Sequence, residues 1–148
     1  MNYFYVTDLN GDTIVLDEDT SKHMVGVLRM KNGDNLILTD GKGKSAMAII
    51  IDDNRKKTSV RISVWGQEAK KEQTIAVGIS LIKNTSRFEW FLEKATEIGV
   101  NEIYPMLCER TEKEKFRLER LNQIVISAML QSQQTWLPVL HEPIPFEK

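Results

Sequence analysis

Apolar and polar positions alternate in two different rhythms along this chain. In its first part the apolar residues come in short runs at 3–6, 13–16, 35–39, 46–51 and 58–64, rich in Ile, Val, Leu and Thr. The turn clusters "LNGD", "KNGD", "TDGKGK" and "DDNRKK" separate them, so the pattern predicts short strands. Asn10-Gly11, Asn32-Gly33 and Asp40-Gly41 are hairpin or turn signals, because Gly tolerates positive φ. One piece, "SKHMVGVLRM", carries Met24, Val27 and Leu28 at helical spacing and predicts a short helix. Five strands with one helix predict a small closed or nearly closed barrel, an arrangement that removes exposed strand edges.

From residue 74 the runs lengthen. "TIAVGISLI", 74–82, is continuously apolar, as expected of a strand covered on both faces in a parallel sheet. In "SRFEWFLEKATEIGV", 86–100, Phe88, Phe91, Leu92 and Ala95 share one helical face. Ser86 with Glu89 reads as a capping box, and Gly99 as the left-handed residue that ends the helix. "NEIYPML" follows as a second strand, which makes a right-handed crossover between parallel strands. Thr111 and Glu114 form a second capping box before a long helix, whose stripe of Leu118, Leu121, Val125 and Ala128 runs to about Gln133. "LPVL", 137–140, begins a third strand. Trp90 stands off the apolar stripe with Arg87, Lys94 and Glu97, and its spacing fits packing as well as ligand contact.

Composition sharpens the division. The chain has 148 residues, enough for one ordinary domain or two small ones. Residues 1–70 hold eight Asp and two Glu, whereas 71–148 hold eleven Glu and no Asp. Asp favours turns and Glu favours helices, so a turn-rich segment precedes a helix-rich one. The polar run "GQEAKKEQ", 66–73, marks the boundary, which gives domains at 1–70 and 71–148. The formal net charge of −1 neither requires nor excludes nucleic acid, since phosphate binding needs a local basic patch. No run of eighteen apolar residues predicts a membrane span, and the start has no basic-then-apolar secretory pattern. A single cysteine, Cys108, fits a reducing cytoplasm. Two distant histidines, His23 and His141, do not make a metal site.

Candidate chemistry is sparse. "GKGKS", 41–45, lacks the four-residue spacing of a phosphate-binding P-loop and runs into a strand-like "AMAIII", so it reads as a lysine-bearing turn. "KNTSR", after the apolar strand, has no glycines to cradle a pyrophosphate. No catalytic triad or carboxylate pair is indicated. On residue type alone, His23 reads as half-buried and structural, and Arg29 as solvated. The residues by themselves indicate a barrel-like module with a partial α/β domain.

The order of motifs adds to this. "HMVGVLRMKNGDNLILTDGKG", "RFEWFLEKATEIGVNEIYPMLCERTE" and "RLNQIVISAMLQSQQTWLP" together resemble the bacterial 16S rRNA uracil-N3 methyltransferases. These belong to the SPOUT superfamily of knotted, S-adenosylmethionine-dependent RNA methyltransferases. The resemblance spans the whole chain but only the earlier part of a family member. It implies an α+β chain: an N-terminal PUA-like β-barrel that helps bind 16S rRNA, followed by the first half of an α/β SPOUT domain. In the family the methyl donor lies in a C-terminal trefoil knot with a Gly-Pro-Glu-Gly-type loop, a segment this sequence does not contain. The chain alone is therefore expected to be inactive, and the full-length protein to be a cytoplasmic homodimer acting on the small ribosomal subunit. The alternative is a stand-alone, non-catalytic RNA-binding module. The resemblance assigns RNA contact to His23, Arg29, Arg87, Lys94, Arg110 and Gln131, with Glu97 as a positioning residue for Lys94 or Arg110, or else solvated. No catalytic base is assigned. Arginine suits phosphate because its planar fork donates two hydrogen bonds at once. One departure is "QSQQTW", where the family commonly carries a basic residue after the "QS" pair.

Overall fold

A computed structural model describes residues 1–111 and 116–146. The chain separates into two compact units, Met1–Lys70 and Lys71–Lys148, each with its own core.

The first unit holds β1 (Tyr3–Tyr5), β2 (Thr13–Val15), β3 (Asn35–Thr39), β4 (Lys44–Asp52) and β5 (Ser59–Gln67), close to the expected strands. They form one sheet in the order β1-β3-β4-β5-β2, with β1 parallel to β3 and the other pairs antiparallel. Asp40-Gly41 makes a true hairpin between β3 and β4. Asn10-Gly11 only turns the chain, because β1 and β2 are opposite edges of the sheet. Irregular register between Met47 and Ala48, and again between Ile50 and Asp52, bends β4. The bend lets all five strands aim side chains into one core: Phe4, Ile14, Leu36, Leu38, Ala46, Ala48, Ile50 and Val60. Met24, fully buried, fills that core from the expected helical piece. This piece is α1 (Glu18–Ser21), capped by the Asp17 carboxylate on the Thr20 N–H, and continues as a wider turn over Lys22–Val27.

The second unit holds β6 (Ala76–Ser80), α2 (Thr85–Glu97), β7 (Glu102–Leu107), α3 (Leu118–Gln131), β8 (Val139–Leu140) and β9 (Ile144–Pro145). β6, β8 and β9 all pair in parallel with β7, as the crossover pattern requires. The expected stripes are buried: Phe88, Leu92 and Ala95 of α2 against Leu121 and Val125 of α3, with Val77, Ile79 and Ile103 from the sheet. The two helices therefore cover the same sheet face.

Four sequence expectations change here. β6 is not covered on both faces, since Ala76 and Gly78 are exposed opposite the helix-packed Val77 and Ile79. Asn84, not Ser86, caps α2: its extended backbone lets Oδ1 accept from the Arg87 N–H at 3.2 Å, and Ser86 lies inside the first turn. Thr111 does not cap α3, which begins at Leu118; its hydroxyl instead accepts from the Cys108 N–H, while Glu114 lies outside the described residues. α3 stops at Gln131, because Gln133 turns to φ +56°. Gly99 ends α2 at φ +93°, as expected.

Candidate functional site

In the first unit the candidates lie on the wide turn after α1. The Leu28 N–H donates to His23 O and the Met30 N–H to Met24 O, spacings of five and six residues. Such a turn brings the chain out at Arg29 in a left-handed conformation, φ +56°, which costs a non-glycine residue energy. Met24 and Met30 on either side are buried, so the flanking anchors hold that backbone and Arg29 is displayed to solvent. His23 is also exposed, not half-buried as its residue type suggested, with its ring edge-on to Phe4 at 6.4 Å.

A neighbouring cation escaped the sequence reading. The loop "DDNRKK" is tied beside α1, where the buried Ser21 hydroxyl accepts from the Thr58 N–H at 3.0 Å and Thr58 O accepts from the Leu16 N–H at 2.8 Å. The Asn54 side chain accepts from the Lys56 and Lys57 amides and shapes the loop. Arg55 then reaches over Gly26, where a Cβ would sit 3.8 Å from its guanidinium. The only signal was three successive cations in a turn; its partner lies about thirty residues away in sequence, beyond any local pattern.

In the second unit the candidates divide between the two edges of the sheet. β6 and β7 are adjacent and parallel, and the Leu81 N–H donates to Met106 O at 3.0 Å, so their carboxyl ends lie together. Arg87 opens the helix that leaves the first end, and Arg110 follows the second; both are exposed. This is the edge at which α/β sheets keep their ligands. Lys94 and Glu97 sit two to three turns further along α2, about 10 Å or more from Arg87 at 1.5 Å per residue, toward the opposite edge. Lys94 is paired, 3.2 Å from Glu97 and 3.7 Å from Glu93, and the Glu97 hydrogen bond and charge raise its pKa above the usual lysine value. Of the two partners weighed for Glu97, the structure pairs it with Lys94. Gln131, at the end of α3, lines a shallow groove with Glu93, Arg120, Gln123, Ile124 and Ser127. Trp90 is 63% exposed and contributes nothing to the core.

Among the described residues, no glycine-rich turn follows the end of β6 or of β7. The sequence has no glycine beyond Gly99, and the two strand ends lead into Lys83-Asn84-Thr85 and Cys108-Glu109-Arg110. No cluster of three or more metal-ligating side chains occurs among the described residues. His141 instead stacks on Tyr104 at 4.1 Å and meets Glu102 at 3.4 Å. No helix among the described residues is long and apolar enough to cross a membrane.

Residues 69–148 match the family described as RNA methyltransferase domain, and residues 16–63 match the RNA methyltransferase PUA domain. The chain belongs to the RNA methyltransferase family. Among solved members, the chain is similar to a probable rRNA-methyltransferase from Porphyromonas gingivalis, at 37% identity and TM-score 0.89, over 98% of this chain and 61% of that one. It is also similar to the ribosomal RNA small subunit methyltransferase E of Neisseria gonorrhoeae, a structure bound to S-adenosyl methionine, at 28% identity and TM-score 0.88. That likeness covers 98% of this chain and 62% of the other. A curated relative, the ribosomal RNA small subunit methyltransferase E of Synechocystis sp., is 29% identical over 90% of this chain and 44% of its own length. The chain spans about half the length of the curated relatives it matches. With the curled PUA sheet and the parallel second sheet, the family membership agrees with the α+β architecture expected from sequence.

Proposed function

We propose that this chain is the RNA-holding portion of a methyltransferase that modifies small-subunit rRNA at N3 of one uridine, with S-adenosylmethionine as methyl donor. The observation that carries the reading is the pair of exposed arginines, Arg87 and Arg110, at the carboxyl edge of a parallel sheet in a chain of this family. A second basic surface, Arg29 with the neighbouring Arg55 loop, holds RNA backbone from the PUA unit. The names of the relatives support small-subunit rRNA as substrate, and the Neisseria structure supports the donor. The absence of a glycine-rich turn after either parallel strand supports reading these 148 residues as lacking the donor site, so no chemical step is assigned to them. The full-length protein acts as a cytoplasmic homodimer.

N3 methylation replaces the imide hydrogen and blocks the pairing edge of the base, so it stops reverse transcriptase. Small-subunit rRNA from cells lacking the gene is expected to lose one strong stop, restored when the full gene returns. Unchanged stops would refute the uridine-N3 assignment. Calorimetric titration of the 148-residue chain with S-adenosylmethionine is expected to give no saturable heat, and saturable binding would refute its inability to hold the donor.

A further inference from the structure

The turn that carries Arg110 is fastened by two hydroxyls, one at the end of β6 and one in the loop after β7. Thr111 closes the turn on Cys108 in both directions: its N–H donates to Cys108 O at 2.9 Å, and its Oγ1 accepts from the Cys108 N–H at 2.8 Å. The same Oγ1 lies 3.1 Å from the hydroxyl of Ser80, the last residue of β6, thirty-one positions earlier. Ser80 Oγ in turn is 3.3 Å from Leu81 O.

Proton counting orders these contacts. A hydroxyl has one proton and two lone pairs. Leu81 O can only accept, so when the Ser80 proton is directed to it, the Thr111 hydroxyl donates to Ser80 Oγ. The result is a directed chain from the Cys108 N–H through Thr111 and Ser80 to the Leu81 carbonyl. Each link polarises the next. It ties the loop after β7 to the end of β6, at the edge where both candidate arginines emerge.

We propose that Thr111 and Ser80 are positioning residues for Arg110: their hydroxyl chain holds the Cys108–Thr111 turn so that the guanidinium is presented to an RNA phosphate at the carboxyl edge of the sheet. The proposal rests on the RNA-holding reading of Arg110. Without the chain the turn keeps its sequence and its charge but loses its fixed direction, and a phosphate contact is replaced by a mobile cation.

The test is filter binding of the 148-residue chain to a small-subunit rRNA transcript across a salt series. Four variants are compared: Arg110→Ala, Thr111→Val, Thr111→Ser and the double variant Arg110→Ala/Thr111→Val. Arg110→Ala is expected to weaken binding about five- to tenfold and to flatten the log–log salt slope by about one contact. Thr111→Val, nearly isosteric but without a hydroxyl, is expected to reproduce both changes, and Thr111→Ser to restore both. The double variant is expected to bind no more weakly than Arg110→Ala, because coupled residues are not additive. If Arg110→Ala binds as the wild type does, the RNA reading of Arg110 fails and the positioning role with it. If Arg110→Ala weakens binding but Thr111→Val keeps the wild-type slope, or adds its effect fully to Arg110→Ala, only the positioning role fails. Ser80→Ala, at the end of β6, repeats the test should Thr111→Val not fold, with the same two readouts.

Discussion

Arg29 is the residue whose local energetics and proposed role pull in opposite directions. A left-handed backbone disfavours arginine and suits asparagine, which can occupy φ +56° at lower cost. Arg29→Asn is therefore expected to keep stability or raise it by up to about 1 kcal/mol, while weakening affinity for small-subunit rRNA. Urea unfolding together with a binding isotherm checks both; unchanged RNA affinity would remove Arg29 from the binding surface. Lys94 makes the opposite case, a cation already satisfied by its own helix. Its pKa lies above the ordinary 10.5 because Glu97 hydrogen-bonds it and adds negative charge. A raised folded-state pKa means that the pair's contribution is complete below the unfolded value near 10.5 and fades as pH rises through the folded one. Glu97→Gln is expected to move the Lys94 side-chain titration, followed by NMR, back toward the ordinary value. No movement would show that the pair does not form in solution. A lysine engaged this way is a weaker candidate for RNA than Arg87 or Arg110, both exposed.

At the scale of elements, α2 depends on side chains from outside its own span. Asn84 satisfies its first turn, and Gln134, from the segment after α3, donates to Thr96 O at 2.9 Å and to Glu97 O at 3.1 Å. The helix is thereby stitched to α3 at its far end while its near end displays Arg87. Asn84→Ala is expected to cost about 1 kcal/mol in urea unfolding. Gln134→Ala leaves two terminal carbonyls to water and is expected to cost about as much. A loss well under half of that for both variants would mean that packing against α3, not capping, defines the ends of α2. Neither signal was the one the sequence advertised. The Ser86–Glu89 pair looked like a capping box because spacing alone cannot say where the chain leaves strand geometry, and that point is set by Asn84 at the end of the β6 loop.

At the scale of the whole molecule, the exposed residues 68–74 join two compact units, each with its own core. Brief trypsin treatment is expected to cut at Lys70 or Lys71 before any other basic position, leaving two fragments resolved by mass spectrometry. Prior cleavage inside residues 1–67 would argue against an independent first unit. The second unit also carries a parallel sheet with both of its described helices on one face. Ala76 and Gly78 on the other face are exposed. This explains how an apolar run that reads as doubly buried can be half open: hydrophobicity records what a strand can bury, not which neighbour is present.

Local order was what the sequence determined by itself. Period-two and helical spacing, glycines at positive φ, and the stripe Phe88, Leu92 and Ala95 fix nearly every element and the face it buries, because each depends on residues within a few positions of one another. Only the tertiary structure decided which strands become neighbours. It placed β1 beside β3 and β2 beside β5, it sent β9 back to β7, and it set Arg55 over Gly26 and Ser80 against Thr111. Those pairings join residues about thirty to fifty positions apart. Their free energy comes from the core of each unit and from hydrogen bonds between distant segments, which no window of sequence contains.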